Sequence, residues 1–92
     1  MGGRVTRTPV KVTITYCAEC GYEPQALELT KALMYDFGAQ LSAIELIPWE
    51  SGTFDVSVDG SLVHSMKRDG GFPEPATVKT AVRVRLASPP PV

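Results

Sequence analysis

At residues 16–22 the chain reads YCAECGY, and this stretch contains both of its cysteines, Cys17 and Cys20. The stretch lies where a predicted strand ends and a predicted helix begins. Two thiols at this spacing can close a small disulfide ring, and the positive end of a helix dipole favours a thiolate. The CxxC pattern also occurs as half of a zinc site, as a soft-metal pair and as two inert buried cysteines. The stretch predicts a redox site, with metal binding and simple burial as the alternatives.

The residues before this stretch alternate in polarity, and those after it repeat at helical spacing. The alternation predicts a strand over 10–16, with Val10, Val12, Ile14 and Tyr16 on a buried face and Lys11, Thr13 and Thr15 on a wet face. Pro24 suits the first turn of a helix and Gly38 its end, so we expect a helix over 23–37. Its apolar stripe should comprise Ala26, Leu29, Leu33 and Phe37, widened by Leu27 and Met34.

The second half of the chain predicts a strand, a β-hairpin and a final element. Two alternating runs around Asp59-Gly60 predict the hairpin. The final element fits a helix over 76–86, because Pro73 and Pro75 suit a first turn, although 82–86 alone fits a strand. The predicted ranges are a strand at 41–47, a loop at 48–52, hairpin strands at 54–58 and 62–66, and a charged glycine loop at 67–71.

The order of these elements predicts one α/β domain. A strand, a helix and a parallel strand form a βαβ unit, and the hairpin and last helix complete the order βαβββα. Because the first and third predicted strands are apolar on one face only, we expect a two-layer sandwich with both helices on one face of a four-stranded mixed sheet. The domain should span 10–86, between a flexible arm at 1–9 and a proline-rich tail at 87–92.

Composition narrows the classes of partner. The net charge of −1 provides no basic surface for nucleic acid or an anionic membrane. No apolar run is long enough for a membrane span, and residues 1–7 lack the apolar segment of a signal peptide, so we expect a cytoplasmic protein. Reducing thiol systems open disulfides there, which favours a catalytic or metal-binding CxxC over a permanent structural disulfide.

Two segments carry a resemblance to a known family: YCAECGY at 16–22 and GTFDVSVDGSLVHSMKRDGGFP at 52–73. With them the chain resembles the SelW/SelT/SelH selenoprotein family, also called the Rdx family, and within it the selenoprotein W branch. The resemblance implies a thioredoxin-like fold and a cysteine-containing version of the family, because Cys20 stands where the selenium-containing members have selenocysteine. It therefore favours Cys20 as the attacking residue, as does a helix that opens at Gly21. The thioredoxin precedent favours Cys17.

Several other residues are candidates to border the site. Ser51, Gly52 and Thr53 stand where thioredoxins have a cis-proline, and Pro48 comes too early for that role. Lys67 and Arg68 are candidates to favour a thiolate or to hold the carboxylates of glutathione, although charged loop residues are usually only solvated. Trp49 and Phe72 are predicted to offer an apolar docking face, with Phe54 in the core. His64 is expected opposite Asp55 on the wet face of the hairpin, away from the site.

These observations support hypotheses from different classes. The favoured one is a thiol–disulfide oxidoreductase without a bound cofactor, which acts on protein or glutathione disulfides and is restored by glutathione or a thioredoxin-type reductant. A soft-metal carrier is the alternative, and it would require 82–86 to be a strand beside the first one. A third hypothesis is a binding module whose cysteines regulate docking. The sequence predicts neither the oligomeric state nor the physiological substrate.

Overall fold

A computed structural model describes residues 10–88 and contains four strands, two long helices and one short helix. The sheet has the order β2-β1-β3-β4, in which β1 is parallel to β2 and antiparallel to β3, and β3 is antiparallel to β4. The predicted mixed four-stranded sheet is therefore confirmed. The elements are β1 (Lys11–Cys17), α1 (Glu23–Phe37), a 3-10 turn (Gly38–Gln40), β2 (Ala43–Trp49), β3 (Phe54–Val58), β4 (Ser61–Ser65), α2 (Met66–Asp69) and α3 (Pro75–Ala87).

The structure describes the two ends of the chain only in part. The predicted arm at 1–9 and positions 89–92 of the predicted tail lie outside the described residues. Helix α3 continues to Ala87, the first position of the predicted tail. Within residues 10–88, no helix is both long enough and apolar enough to cross a membrane.

Helices α1 and α3 cover the same face of the sheet. Val12 and Ile14 of β1 are fully buried against this layer, whereas Thr13 and Thr15 point to the other face. The two helices also contact each other, since the carboxylate of Asp36 lies 3.0 Å from the ammonium of Lys79. The uncovered face explains the polar row in the central strand, because threonine hydroxyls buried under a second helix layer would lose their contact with water.

The apolar stripe of α1 is narrower than predicted. Ala26, Leu29, Leu33 and Phe37 are buried in the core as expected. Leu27 and Met34, however, are 57% and 60% exposed, so their assignment to the stripe is wrong. Each directly follows a buried residue, and one step along a helix turns a side chain by about 100°, away from the sheet.

Two boundaries in the second half differ from the prediction. Strand β2 includes Pro48 and Trp49, which were predicted to lie in a loop. This is possible because β2 is an edge strand, where a proline need not donate a ladder hydrogen bond. Met66 does not end the hairpin but begins α2, which takes in positions 67–69 of the predicted glycine loop.

The final element is a helix throughout, and the strand alternative for 82–86 is wrong. Val78 and Val82 of α3 are fully buried and pack in the same cluster as the apolar face of the sheet. Their spacing of four residues places them on one face of a helix.

A β-bulge changes the register of the hairpin. Asp55 pairs with Ser65 and Val56 pairs with His64, and the register shifts next to Val56 so that Val63 is an extra residue in β4. The prediction that His64 lies opposite Asp55 is therefore wrong. An extra residue turns every following side chain to the opposite face of a strand.

His64 consequently lies on the helix-covered face and is buried, not on the wet face. Its Nε2 lies 2.8 Å from the carbonyl oxygen of Gly71 and must carry the proton, since a carbonyl only accepts. Its Nδ1 lies 3.7 Å from a carboxylate oxygen of Asp69. The imidazole thereby ties β4 to the loop that follows α2.

Candidate functional site

Cys17 and Cys20 are joined in a disulfide at the junction of β1 and α1, with their Cα atoms 5.3 Å apart. Cys17 is the last residue of β1 and is fully buried, whereas Cys20 lies in the following turn and is exposed. The Gly21 backbone N–H donates to the carbonyl of Ala18 at 3.1 Å, and that of Tyr22 donates to Cys17 at 3.3 Å. Gly21 has φ +76°, a conformation that glycine adopts without strain.

The helix that follows the cysteines begins two residues later than a start at Gly21, the position that would favour a Cys20 thiolate. Helix α1 starts at Glu23, not at Gly21, so Cys20 precedes its first turn. The field of a helix dipole falls off within about one turn, and its support for a Cys20 thiolate is correspondingly reduced. The difference in exposure between the two cysteines is now the stronger distinction.

Residues 51–53, the candidates to border the site, follow β2 and lie directly against the cysteine turn. The backbone N–H of Cys17 donates to the carbonyl of Thr53 at 2.7 Å, and the N–H of Ser51 donates to a carboxylate oxygen of Glu19 at 3.3 Å. Thr53 is buried, and its hydroxyl donates to the carbonyl of Glu50 at 2.8 Å. These hydrogen bonds hold Thr53 against Cys17 and Ser51 against Glu19 of the cysteine turn, with Gly52 between them.

Pro48 takes no part in this contact. It lies inside β2 and pairs with Tyr16. No cis peptide bond occurs between residues 10 and 88. Trp49, the next residue, pairs with Cys17, and its carbonyl accepts the N–H of Ala18 at 2.9 Å. Its indole is exposed.

An aromatic cluster of Tyr22, Phe54 and Phe72 lies behind the cysteine turn. The ring of Phe72 packs edge-on against Tyr22 and Phe54, with centroids 5.0 Å and 5.1 Å away. Phe54 is buried as expected, whereas Phe72 is 40% exposed and forms one wall of a groove of about 330 Å³. The sequence placed Phe72 near the site but Tyr22 was missed, although its position two residues after the CxxC was a usable signal.

Lys67 and Arg68 lie on α2 and form no contact with either cysteine in the described part of the chain. The guanidinium of Arg68 is held by Asp69, with nitrogen–oxygen distances of 2.8 Å and 2.7 Å, and also donates to the carbonyl of Val63. Hydrogen bonds from Arg68 and then from the Ser65 backbone N–H lower the pKa of Asp69 from 3.8 to about 2. Arg68 therefore serves to order α2, and Lys67 remains exposed.

This lowered pKa leads to a prediction about acid stability. Since Asp69 ionises at lower pH in the folded than in the unfolded chain, its carboxylate stabilises the fold above about pH 4, and this contribution is lost as the pH falls towards about 2. We expect Asp69→Asn to lower the urea midpoint at pH 7 and to change it little near pH 2. An equal decrease at both pH values would contradict the prediction.

Among the described residues, the two cysteines have no third metal ligand beside them. Residues 10–88 contain no group of three or more His, Cys, Asp or Glu side chains arranged to hold one. The carrier hypothesis also depended on a closing strand at 82–86, and that segment belongs to α3.

Comparison with known proteins gives consistent matches over most of the chain. A sequence model of the Rdx family matches residues 11–84. Selenoprotein W of Mus musculus is 36% identical over 81 residues, which cover 83% of this chain and 92% of that protein.

Two solved structures have the same fold. A crystal structure from Bordetella parapertussis matches with a TM-score of 0.81 and 33% identity, over 86% of this chain and 100% of that one. A selenoprotein W-related protein from Vibrio cholerae also has a TM-score of 0.81, with 26% identity over 86% of this chain and 99% of that one. The predicted thioredoxin-like α/β fold is confirmed.

Proposed function

The chain belongs to the Rdx family, and from this premise we propose that it is a small thiol–disulfide redox protein that works through Cys17 and Cys20. The observation that carries the proposal is the pairing of an exposed Cys20 with a buried Cys17 in one disulfide. An exposed thiol can be reached by a substrate, and a buried thiol within bonding distance can displace the product. These are the roles that a two-cysteine exchange cycle requires.

The reaction proceeds in two displacements. The Cys20 thiolate attacks one sulfur of a substrate disulfide, so that a mixed disulfide forms and the other substrate sulfur leaves as a thiolate. Cys17 loses its proton and attacks the Cys20 sulfur, which closes the intramolecular disulfide and releases the second substrate thiolate. The substrate disulfide is thereby reduced by two electrons and the protein dithiol is oxidised.

The cycle needs a reductant and a reducing compartment. Two glutathione thiols, or one thioredoxin-type dithiol, restore Cys17 and Cys20 and leave as the corresponding disulfide. No bound cofactor is required, and protein or glutathione disulfides are the substrates. Such a cycle fits the cytoplasm, where glutathione and thioredoxin keep thiols reduced.

Mass measurement after treatment with oxidised glutathione tests the proposal. The reduced wild-type protein should lose the mass of two hydrogen atoms as its disulfide closes, with no adduct retained. Cys17→Ser should retain one glutathione, because the thiol that would release it is absent, while Cys20→Ser should react slowly. Stable zinc or copper in native mass spectra, with no disulfide closure, would establish the metal carrier instead.

A further inference from the structure

The acidic side chains of this protein are distributed unevenly. Within residues 10–88, those at the far end of the sheet, such as Asp36 and Asp59, are neutralised by ion pairs with basic residues of α3. Those near the cysteines are not. The described acidic residues without an ion pair are Glu19, Glu23, Glu28, Glu50, Asp55 and Glu74.

These six carboxylates without an ion pair lie in the half of the domain that carries the cysteines, with Asp55 on the uncovered face of the sheet. Glu19 is inside the cysteine turn, Glu50 is in the loop against it, and Glu74 directly precedes α3 beside the groove. Basic residues do not balance these six carboxylates, since Arg68 is held by Asp69, and the described ammonium groups without an ion pair are only Lys67 and Lys31, the latter one helical turn after Glu28. The surface around Cys20 is therefore negatively charged.

The groove beside this negatively charged surface is apolar. Its walls include Pro24 in the first turn of α1, Leu29 one turn later, and the rings of Phe54 and Phe72. Glu28 lies on its rim. Its volume of about 330 Å³ is at the small end of the range of ligand-pocket volumes and suits one or two side chains of a peptide.

Two connections join the groove to the cysteines. Tyr22, two residues after Cys20, packs edge-on against Phe72 with ring centroids 5.0 Å apart. Phe54 directly follows Thr53, whose carbonyl accepts the backbone N–H of Cys17. A peptide joined to Cys20 through a disulfide therefore has the groove within reach of its neighbouring side chains.

From this surface we propose that the substrate disulfide is carried by a basic peptide segment that places an apolar side chain in the groove. This inference rests on the thiol–disulfide function proposed above and names its substrate class. Glutathione disulfide has more carboxylates than ammonium groups, and the free carboxylates around Cys20 repel it. A peptide with arginine or lysine beside its cysteine is attracted by the same field, and burial of its apolar side chain against Phe54 and Phe72 adds to the affinity.

Symmetric disulfides of short blocked peptides test this inference. The probes are the disulfides of Arg-Cys-Leu-Arg, Glu-Cys-Leu-Glu and Arg-Cys-Ser-Arg, together with glutathione disulfide and the uncharged bis(2-hydroxyethyl) disulfide. The oxidation of the reduced protein is followed by mass spectrometry after an acid quench. Each rate is divided by the rate of the same probe with 2-mercaptoethanol, which removes the intrinsic reactivity of the probe.

We expect the Arg-Cys-Leu-Arg probe to react at least about tenfold faster than Glu-Cys-Leu-Glu at low salt, and the ratio to decrease at high salt. Glu28→Gln should slow the basic probe by about fivefold, the effect of one nearby unit charge. Gln40→Lys changes the net charge equally in the 3-10 turn beyond the far end of α1 and should have no effect on this rate. Phe72→Ala should remove the preference for Leu over Ser in the probe, whereas Leu62→Ala, on the other face of the sheet, should not.

The outcomes separate this inference from the proposed function. Failure of every probe, including the uncharged one, would overturn the thiol–disulfide function itself. Reaction with the uncharged probe but equal rates for the basic and acidic peptides, or faster reaction of glutathione disulfide, would overturn only the basic-peptide inference. If Glu28→Gln and Gln40→Lys had the same effect, overall charge rather than this surface would account for the preference, and the inference would be wrong.

Discussion

Cys20→Ser is expected to slow the first step of thiol–disulfide exchange strongly, whereas Cys17→Ser is expected to preserve the first attack and stop at a trapped mixed disulfide. The reason is the difference in exposure, since Cys17 is fully buried and Cys20 lies on the surface. Burial in apolar surroundings disfavours a thiolate and blocks the approach of a substrate. The family resemblance agrees, because Cys20 occupies the position that selenocysteine has in the selenium-containing members.

Alkylation of the reduced wild-type protein measures this order directly. Iodoacetamide applied at graded pH, followed by peptide mapping, should label Cys20 first and Cys17 only slowly. The two single variants serve as matched controls, because each retains one thiol in the same turn. Labelling of Cys17 first at mildly acidic pH would reverse the assignment, and the order known from thioredoxins, with the first cysteine as attacker, would replace it.

Phe54→Ala is expected to lower the free energy of unfolding by about 3–5 kcal/mol, the usual result of truncating a buried phenylalanine. Phe54 is 1% exposed and packs against Tyr22 and Phe72, with ring centroids 6.4 Å and 5.1 Å away. Domains of this kind are stabilised by only about 5–15 kcal/mol in total, so the variant should be close to unfolding.

Urea denaturation of the oxidised protein provides the measurement, with Leu62→Ala as the control. Leu62 is 46% exposed, and its truncation should change the free energy of unfolding by less than about 1 kcal/mol. A similar small change for Phe54→Ala would show that the aromatic cluster does not stabilise the fold. If Phe54→Ala removed the preference for Leu over Ser in the basic peptide probes without lowering the free energy of unfolding, Phe54 would be assigned to substrate binding alone.

The elements that were correctly predicted have strong local patterns. Val12 and Ile14 alternate with threonines, and Leu29, Leu33 and Phe37 recur at helical spacing between Pro24 and Gly38. Such patterns arise from residues close in sequence, so they can be read without knowledge of the partners. The resemblance to the Rdx family added the thioredoxin-like arrangement of these elements, and the solved structures with the same fold confirm it.

The predictions that failed depend on partners distant in sequence. Pro48 is tolerated in β2 only because β2 lies at the edge of the sheet, and the strand order is not visible in the chain. His64 was assigned to the wrong face because a bulge at Val63 shifts the register. Leu27 and Met34 were assigned to the core because apolar character alone does not show where the contact surface of a helix ends.

The sequence by itself determined the order of strands and helices and placed a CxxC pair at a strand-to-helix junction, since both follow from local spacing. The tertiary structure decided which thiol is accessible. Cys17 is buried between the sheet and the loop that ends at Thr53, whereas Cys20 is exposed to solvent. It also decided that Tyr22, Phe54 and Phe72 meet. Burial and ring packing are set by chain segments that only folding brings together, and no local pattern encodes them.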